Sequence, residues 1–226
     1  MYVGDAGYKS VLSPESKNQM SSKLKTRFHE LCAKYSDDTN LIRSYWNEIE
    51  ESYASKNRFY HNLTHLENMI EELGVVKNDI SDFDAILFSV FYHDIVYKAT
   101  ANDNEEKSAE KAKTDLQKLN LASNQIAKIY SQIITTKTHQ KSEDPDADFL
   151  LDADLAILGH NWNHYQQYTQ QIRKEYSVYP DFLYNPGRKK VLKHFLKFDG
   201  IYKTAHFRAK YETSARENIK REMELL

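Results

Sequence analysis

The run FDAILFSVFYHDIVY at residues 83–97 decides how this chain folds and where its chemistry lies. Phe83, Ile86, Leu87, Val90 and Phe91 recur at three- and four-residue intervals. That is the period of an α-helix with one apolar side. Continuing the spacing from Val90 puts His93 and Asp94 on the same side, and Ile95, Val96 and Tyr97 follow at once. A buried carboxylate is costly unless it is paired or bound to a metal. Taken alone, the dipeptide has two solutions of equal weight: a salt bridge to a cation from another helix, or a metal ion.

Outward from this run the helical period persists. It predicts helices over 20–35, 39–54, 62–73, 82–98, 104–119, 123–136, 146–158, 161–176, 187–198 and 204–224. Asp82, Asp103 and Ser123 stand where N-caps belong, and Asp103 with Glu106 resembles a capping box. Breaks are expected at Gly74-Val75, at Asp144-Pro145, at Pro180 and at Asn185-Pro186-Gly187. With 6 glycines, 4 prolines and 40% hydrophobic residues in 226, a loop-rich or all-β fold is disfavoured. The expectation is one all-α multi-helix domain over 21–226, preceded by a loose tail over 1–20.

Composition also narrows function. The formal charge is −2 with both signs mixed along the chain, so no stripe announces a nucleic-acid surface. The single cysteine, Cys32, excludes an internal disulfide framework and a cysteine zinc site, and reads as a small buried hydrophobe. No run reaches the ~18 apolar residues of a membrane span, and the first residues lack a signal-peptide core. A cytoplasmic protein with no membrane partner is expected; the oligomeric state, including a homo-oligomer, stays open.

Further segments place metal-ligand chemistry beside apolar faces. His61 and His65 are four apart and share a helix face if the helix begins early enough. Asp154 lies three and four residues from Leu150, Leu151, Ile157 and Leu158, on the stripe, while Asp152 is nearer its edge. One of the two carboxylates would be a ligand and the other its orienting partner. Glu105 opens a helix one turn before Ala109, and His139 ends another. The set is a mixed nitrogen and oxygen site suited to metal-assisted hydrolysis. It is not an HExxH zinc site, and no glycine-rich phosphate loop is present. His160 and His164, also four apart, are expected to be exposed.

RFYHNLTHL at 58–66, FYHDIVY at 91–97, DNEEKSA at 103–109, TKTH at 136–139, LDADLAILG at 151–159, IRKEY at 172–176 and the 188–192 segment occur in one order. Their order and spelling resemble the HD superfamily of metal-dependent phosphohydrolases, in a compact bacterial branch, over about residues 24–224. The resemblance implies an HD-domain helical bundle. It implies His65, His93, Asp94 and Asp154 as ligands of one or two divalent ions (Mn, Mg, Co, Ni, Zn or Fe), with His61 and His65 able to exchange roles. Asp94, Glu105 and His61 would be the catalytic group. Arg58, Lys98, His139, Arg173 and Arg188 are the candidates to bind phosphate.

The function so implied is hydrolysis of a nucleotide or other small phosphate ester or anhydride by metal-activated water. Two other classes stand beside it: a non-catalytic nucleotide- or metal-binding HD module, and a di-iron HD oxygenase.

Overall fold

A computed structural model describes residues 14–226, with side chains from residue 18 onward. Ten α-helices fill it: α1 Pro14–Cys32, α2 Thr39–Tyr53, α3 Leu63–Val75, α4 Phe83–Tyr92, α5 Asn104–Lys118, α6 Ser123–Thr135, α7 Pro145–Asp154, α8 Trp162–Glu175, α9 Asp181–Leu196 and α10 Ala205–Leu225. Short 3-10 turns lie at Lys77–Asp79 and Ala156–Gly159, and the described residues contain no strand. No helix among them is long and apolar enough to cross a membrane.

α4 is the central element. Every residue from Ala85 to Tyr92 is buried, so this helix is covered on all sides, by α3, α5, α6 and α7. Its one polar member in that span, Ser89, donates to the Ala85 carbonyl and to Gln132 Oε1 at 2.7 Å. Phe91 meets Phe28 edge-on at 5.1 Å and Trp46 at 6.5 Å, which ties α1 and α2 to α4. Such aromatic pairs contribute ~0.5–1.5 kcal/mol each beyond their burial. Cys32 is fully buried in the same core.

The chain departs from its sequence pattern at several ends. α1 starts at Pro14, inside the stretch expected to be a loose tail; residues 1–13 lie outside the described part. α4 stops at Tyr92 rather than running to 98. The reason is tertiary: Tyr53 Oη accepts from the Asp94 N–H, Ser108 Oγ from the Val96 N–H, and Arg58 donates to the Asp94 and Ile95 carbonyls. Those groups are the ones a continuing helix would need. α9 runs straight through Asn185-Pro186-Gly187, where a break was expected. Pro186 is exposed and removes one hydrogen bond, while burial of Tyr184 and Arg188 pins the helix on either side. The capping box at Asp103 does not form, because Asp103 pairs with Lys107 and Glu106 with Lys137. Ser123 is the first residue of α6, not its cap. Asp82 caps α4 as expected, accepting from the Ala85 N–H.

Candidate metal centre

Three elements deliver the site. Asn62 caps α3 by accepting the Thr64 N–H, which starts the helix too late to include His61 but leaves His65 in its first turn. His93 is the C-cap of α4, and Asp94 lies in the turn beyond it. Asp154 is the last residue of α7. His61 stands in the loop before α3, so the two histidines reach the site from a loop and a helix rather than from one helix face.

His65 Nε2 and His93 Nε2 stand 3.3 Å apart, and His65 Nε2 is 3.1 Å from Asp154 Oδ1. His93 Nε2 is 3.9 Å from that oxygen and 3.3 Å from Asp94 Oδ2. Ligand atoms of His65, His93 and Asp154 all fall within 4.8 Å of one another; Asp94 joins the group through His93. The histidine rings are almost wholly buried. His93 Nδ1 donates to the Val90 carbonyl at 2.9 Å, which fixes the ring and turns Nε2 inward. Two nitrogens bound at ~2.0–2.1 Å to one tetrahedral ion stand about 3.3–3.4 Å apart. The donor types and spacing therefore fit a divalent cation.

The buried charges of the site compensate one another. Burial pulls the His93 imidazolium down, but the Asp94 and Asp154 charges outweigh it and lift the ring to about 9. At His65 burial prevails and the ring is lowered. Burial opposes ionisation of Asp94, yet His93 and His61 hold its carboxyl well below the usual range. Asp154 is likewise held low against burial, by His139, His65 and His93. Two ionised carboxylates thus face inward onto positive charge.

The surrounding residues sort by what they touch. His139 Nε2 lies 2.8 Å from Asp154 Oδ2, and its backbone is in the left-handed region at φ 50°. It holds Asp154 and also lines the cavity. Asp152 turns away from the imidazoles: its oxygens accept the Lys203 and Thr204 N–H groups at 2.7 Å and the Thr204 hydroxyl at 2.8 Å, holding the residues that lead into α10. Burial lifts that carboxyl to about 6 against those donors. Glu105 lines the cavity above the site with His61 and Asp154.

Glu175, at the end of α8, carries no sequence signal beyond its place in IRKEY, yet it organises the His61 loop. Its Oε1 accepts the Phe59, Tyr60 and His61 N–H groups at 2.7, 2.7 and 3.0 Å. Its Oε2 takes His61 Nδ1 at 2.6 Å and the Tyr97 hydroxyl at 2.9 Å. His61 Nε2 is thereby directed to Asp94, 4.0 Å away. Burial lowers the His61 ring, but the Glu175 charge and hydrogen bond raise it on balance.

The basic residues expected at a phosphate are otherwise engaged. Arg58 donates to the carbonyls of Asp94, Ile95 and His61 at 2.6, 3.0 and 3.4 Å, clamping the two site loops together. Arg173 binds Asp181 and the Tyr176 and Tyr179 carbonyls, stapling the α8–α9 corner. Arg188 lines the cavity but pairs with Glu222 through two hydrogen bonds. Lys98 is exposed and off the cavity, whose basic lining also includes Lys137, Lys190 and His194. The cavity measures about 770 Å³, and tyrosines 60, 168, 176, 179 and 184 form much of its wall. His160, expected at the surface, is buried with its ring 5.3 Å from that of Tyr211.

The chain matches no protein-family profile, no curated protein and no solved structure.

Proposed function

We propose that this protein is a metal-dependent phosphohydrolase of the HD type, acting on a small phosphate ester or anhydride such as a nucleotide. The observation that carries the reading is the convergence of His65 Nε2, His93 Nε2 and an Asp154 oxygen within 4.8 Å, with Asp154 exposed to a cavity of substrate size. His65, His93 and Asp154 would hold the ion, with Asp94 completing the set from the His93 side. A divalent ion there lowers the pKa of a bound water and polarises a phosphoryl oxygen. His139 fixes the Asp154 carboxylate, and Glu175 fixes His61 with Nε2 toward Asp94, placed to hold or pass a proton. Glu105 faces the same space from the start of α5.

The test is elemental analysis of purified protein beside a hydrolysis screen. Wild type should carry about one or two divalent ions per chain. Asp154→Asn should carry only traces, with its helical circular dichroism intact. Turnover of nucleotides or sugar phosphates with Mn, Co, Ni, Mg or Fe, lost in Asp94→Asn, supports hydrolysis. Stoichiometric metal without turnover on any phosphate supports a binding module instead. Two irons with oxygen uptake support an oxygenase. Wild type free of metal after supplementation would sink the hydrolase, the oxygenase and the metal-binding module, leaving only a module that binds nucleotide without metal.

A further inference from the structure

α9 carries a cationic face that the metal centre does not use. Lys189, Lys190, Lys193, His194 and Lys197 line one surface groove of about 520 Å³. Their spacing returns to the same side of the helix at each turn. None of the four lysines has a carboxylate partner among the described residues. Asp181, the acid at the head of α9, is held by Arg173 at 2.7 Å. In a chain of net charge −2 this is a local concentration, not a reflection of overall basicity.

Two further features give the face a direction. Lys190 and His194 line both the groove and the cavity above the metal centre, so the two spaces adjoin along these side chains. Phe182, 74% exposed, lies seven and eleven residues before Lys189 and Lys193, on the same helical side. A solvent-facing ring at the head of a lysine row, opening onto a tyrosine-walled cavity, joins stacking surfaces to backbone-tracking charge. Sequence-independent binding of single strands has those two requirements. Leu183 and Val191, 54% and 45% exposed, add apolar surface beside the row where it borders the cavity, so a membrane surface is the competing occupant that the test must separate.

We propose that the α9 face binds single-stranded nucleic acid and leads the strand toward the cavity. The binding itself does not depend on the metal or on hydrolysis, so it is measured in EDTA, by fluorescence anisotropy of a labelled oligothymidylate of about 12 nucleotides. The comparison is wild type against the triple variant Lys189→Glu/Lys193→Glu/Lys197→Glu. These three side chains lie outside the cavity lining, with Lys193 and Lys197 exposed and Lys189 half-buried, so the fold should survive, which thermal denaturation checks.

Wild-type affinity should fall with salt at a slope of about −0.7 for each phosphate neutralised, near −2 for three lysines. The triple variant should bind at least ~10-fold more weakly at low salt, with most of that slope gone. A Lys→Gln triple variant should fall between the two. No binding by wild type at low salt overturns the proposal, as does equal binding by all three proteins. Sedimentation with phosphatidylserine vesicles in place of oligonucleotide binding overturns it in favour of a membrane surface. Hydrolysis of a mononucleotide is scored separately with metal restored. Binding without any turnover removes the enzyme reading and leaves the surface standing, and the reverse pattern removes only the surface.

Discussion

Replacing Arg188 tests whether it belongs to the fold or to the substrate. Its Nε donates to Glu222 Oε1 at 2.7 Å, and its Nη2 to Glu222 Oε2 at 3.1 Å and to the Tyr168 hydroxyl at 3.2 Å. Glu222 also accepts the Tyr165 hydroxyl. The two side chains are only 8% and 6% exposed, so solvent screens the pair little. Removing one partner strands the other charge, which costs ~3–5 kcal/mol, whereas replacing both by apolar residues is near neutral or stabilising. Arg188→Met and Glu222→Leu should therefore each lose ~3–5 kcal/mol in urea unfolding followed by circular dichroism. In a chain of this size that is about 6–20 °C in Tm. The double variant should recover most of the loss. A single variant losing under ~1 kcal/mol, or a double variant losing the sum, would refute the reasoning. The result also decides how Arg188 variants are read: lost turnover in the single change reports instability before it reports phosphate binding.

Other outcomes follow from particular contacts. Glu175→Ala leaves the Phe59, Tyr60 and His61 N–H groups without their acceptor and should cost ~2–4 kcal/mol in denaturant unfolding, with earlier proteolysis in the 55–62 loop. Glu175→Gln keeps an acceptor for those groups but loses the charge facing His61; nitrogen-detected NMR of the His61 ring should show its tautomer balance change. Gly159→Ala would place a methyl 2.4 Å from Tyr211 Cβ and 2.8 Å from its carbonyl oxygen, so α10 must shift. That overpacking should cost at least ~1–3 kcal/mol, read as a lower Tm. Burial pushes the Cys32 thiol up to about 12, leaving on the order of one in ten thousand ionised at pH 8. Ellman's reagent should therefore react with it only as fast as the protein opens, and at once in urea.

The helices were legible where the apolar period was long, as in α2, α5 and α6, whose ends fall within one residue of the expected ones, whereas the ends of α1, α4, α7 and α9 were not. The pattern of 83–97 showed that His93 and Asp94 are drawn into the interior, but it read a turn as helix. What ends α4 is Tyr53, Arg58 and Ser108, residues distant in sequence that take its backbone groups. Asp154 stood out because it interrupts an apolar stripe, and it is the carboxylate that meets the imidazoles. Asp152 stood out for the same reason, yet its burial serves the start of α10. A buried acid signals that partners exist, not which ones. Glu175 gave no signal because its helix is mostly polar and its five donors come from two other segments. The lysine face of α9 was hidden by acids elsewhere in the chain that balance the total without approaching the groove.

The loop Phe59–His61 aims three backbone N–H groups at one point, the kind of concavity that takes phosphate in other proteins. Here the anion comes from inside: Glu175 occupies it. The chain is its own ligand at this receptor, and three of its guanidiniums, at Arg58, Arg173 and Arg188, are likewise consumed by internal acceptors. Such a scaffold commits those arginines to its own fold. Lys190, without a carboxylate partner among the described residues, and His194 stand exposed at the rim, where they can be changed without disturbing the buried contacts beneath.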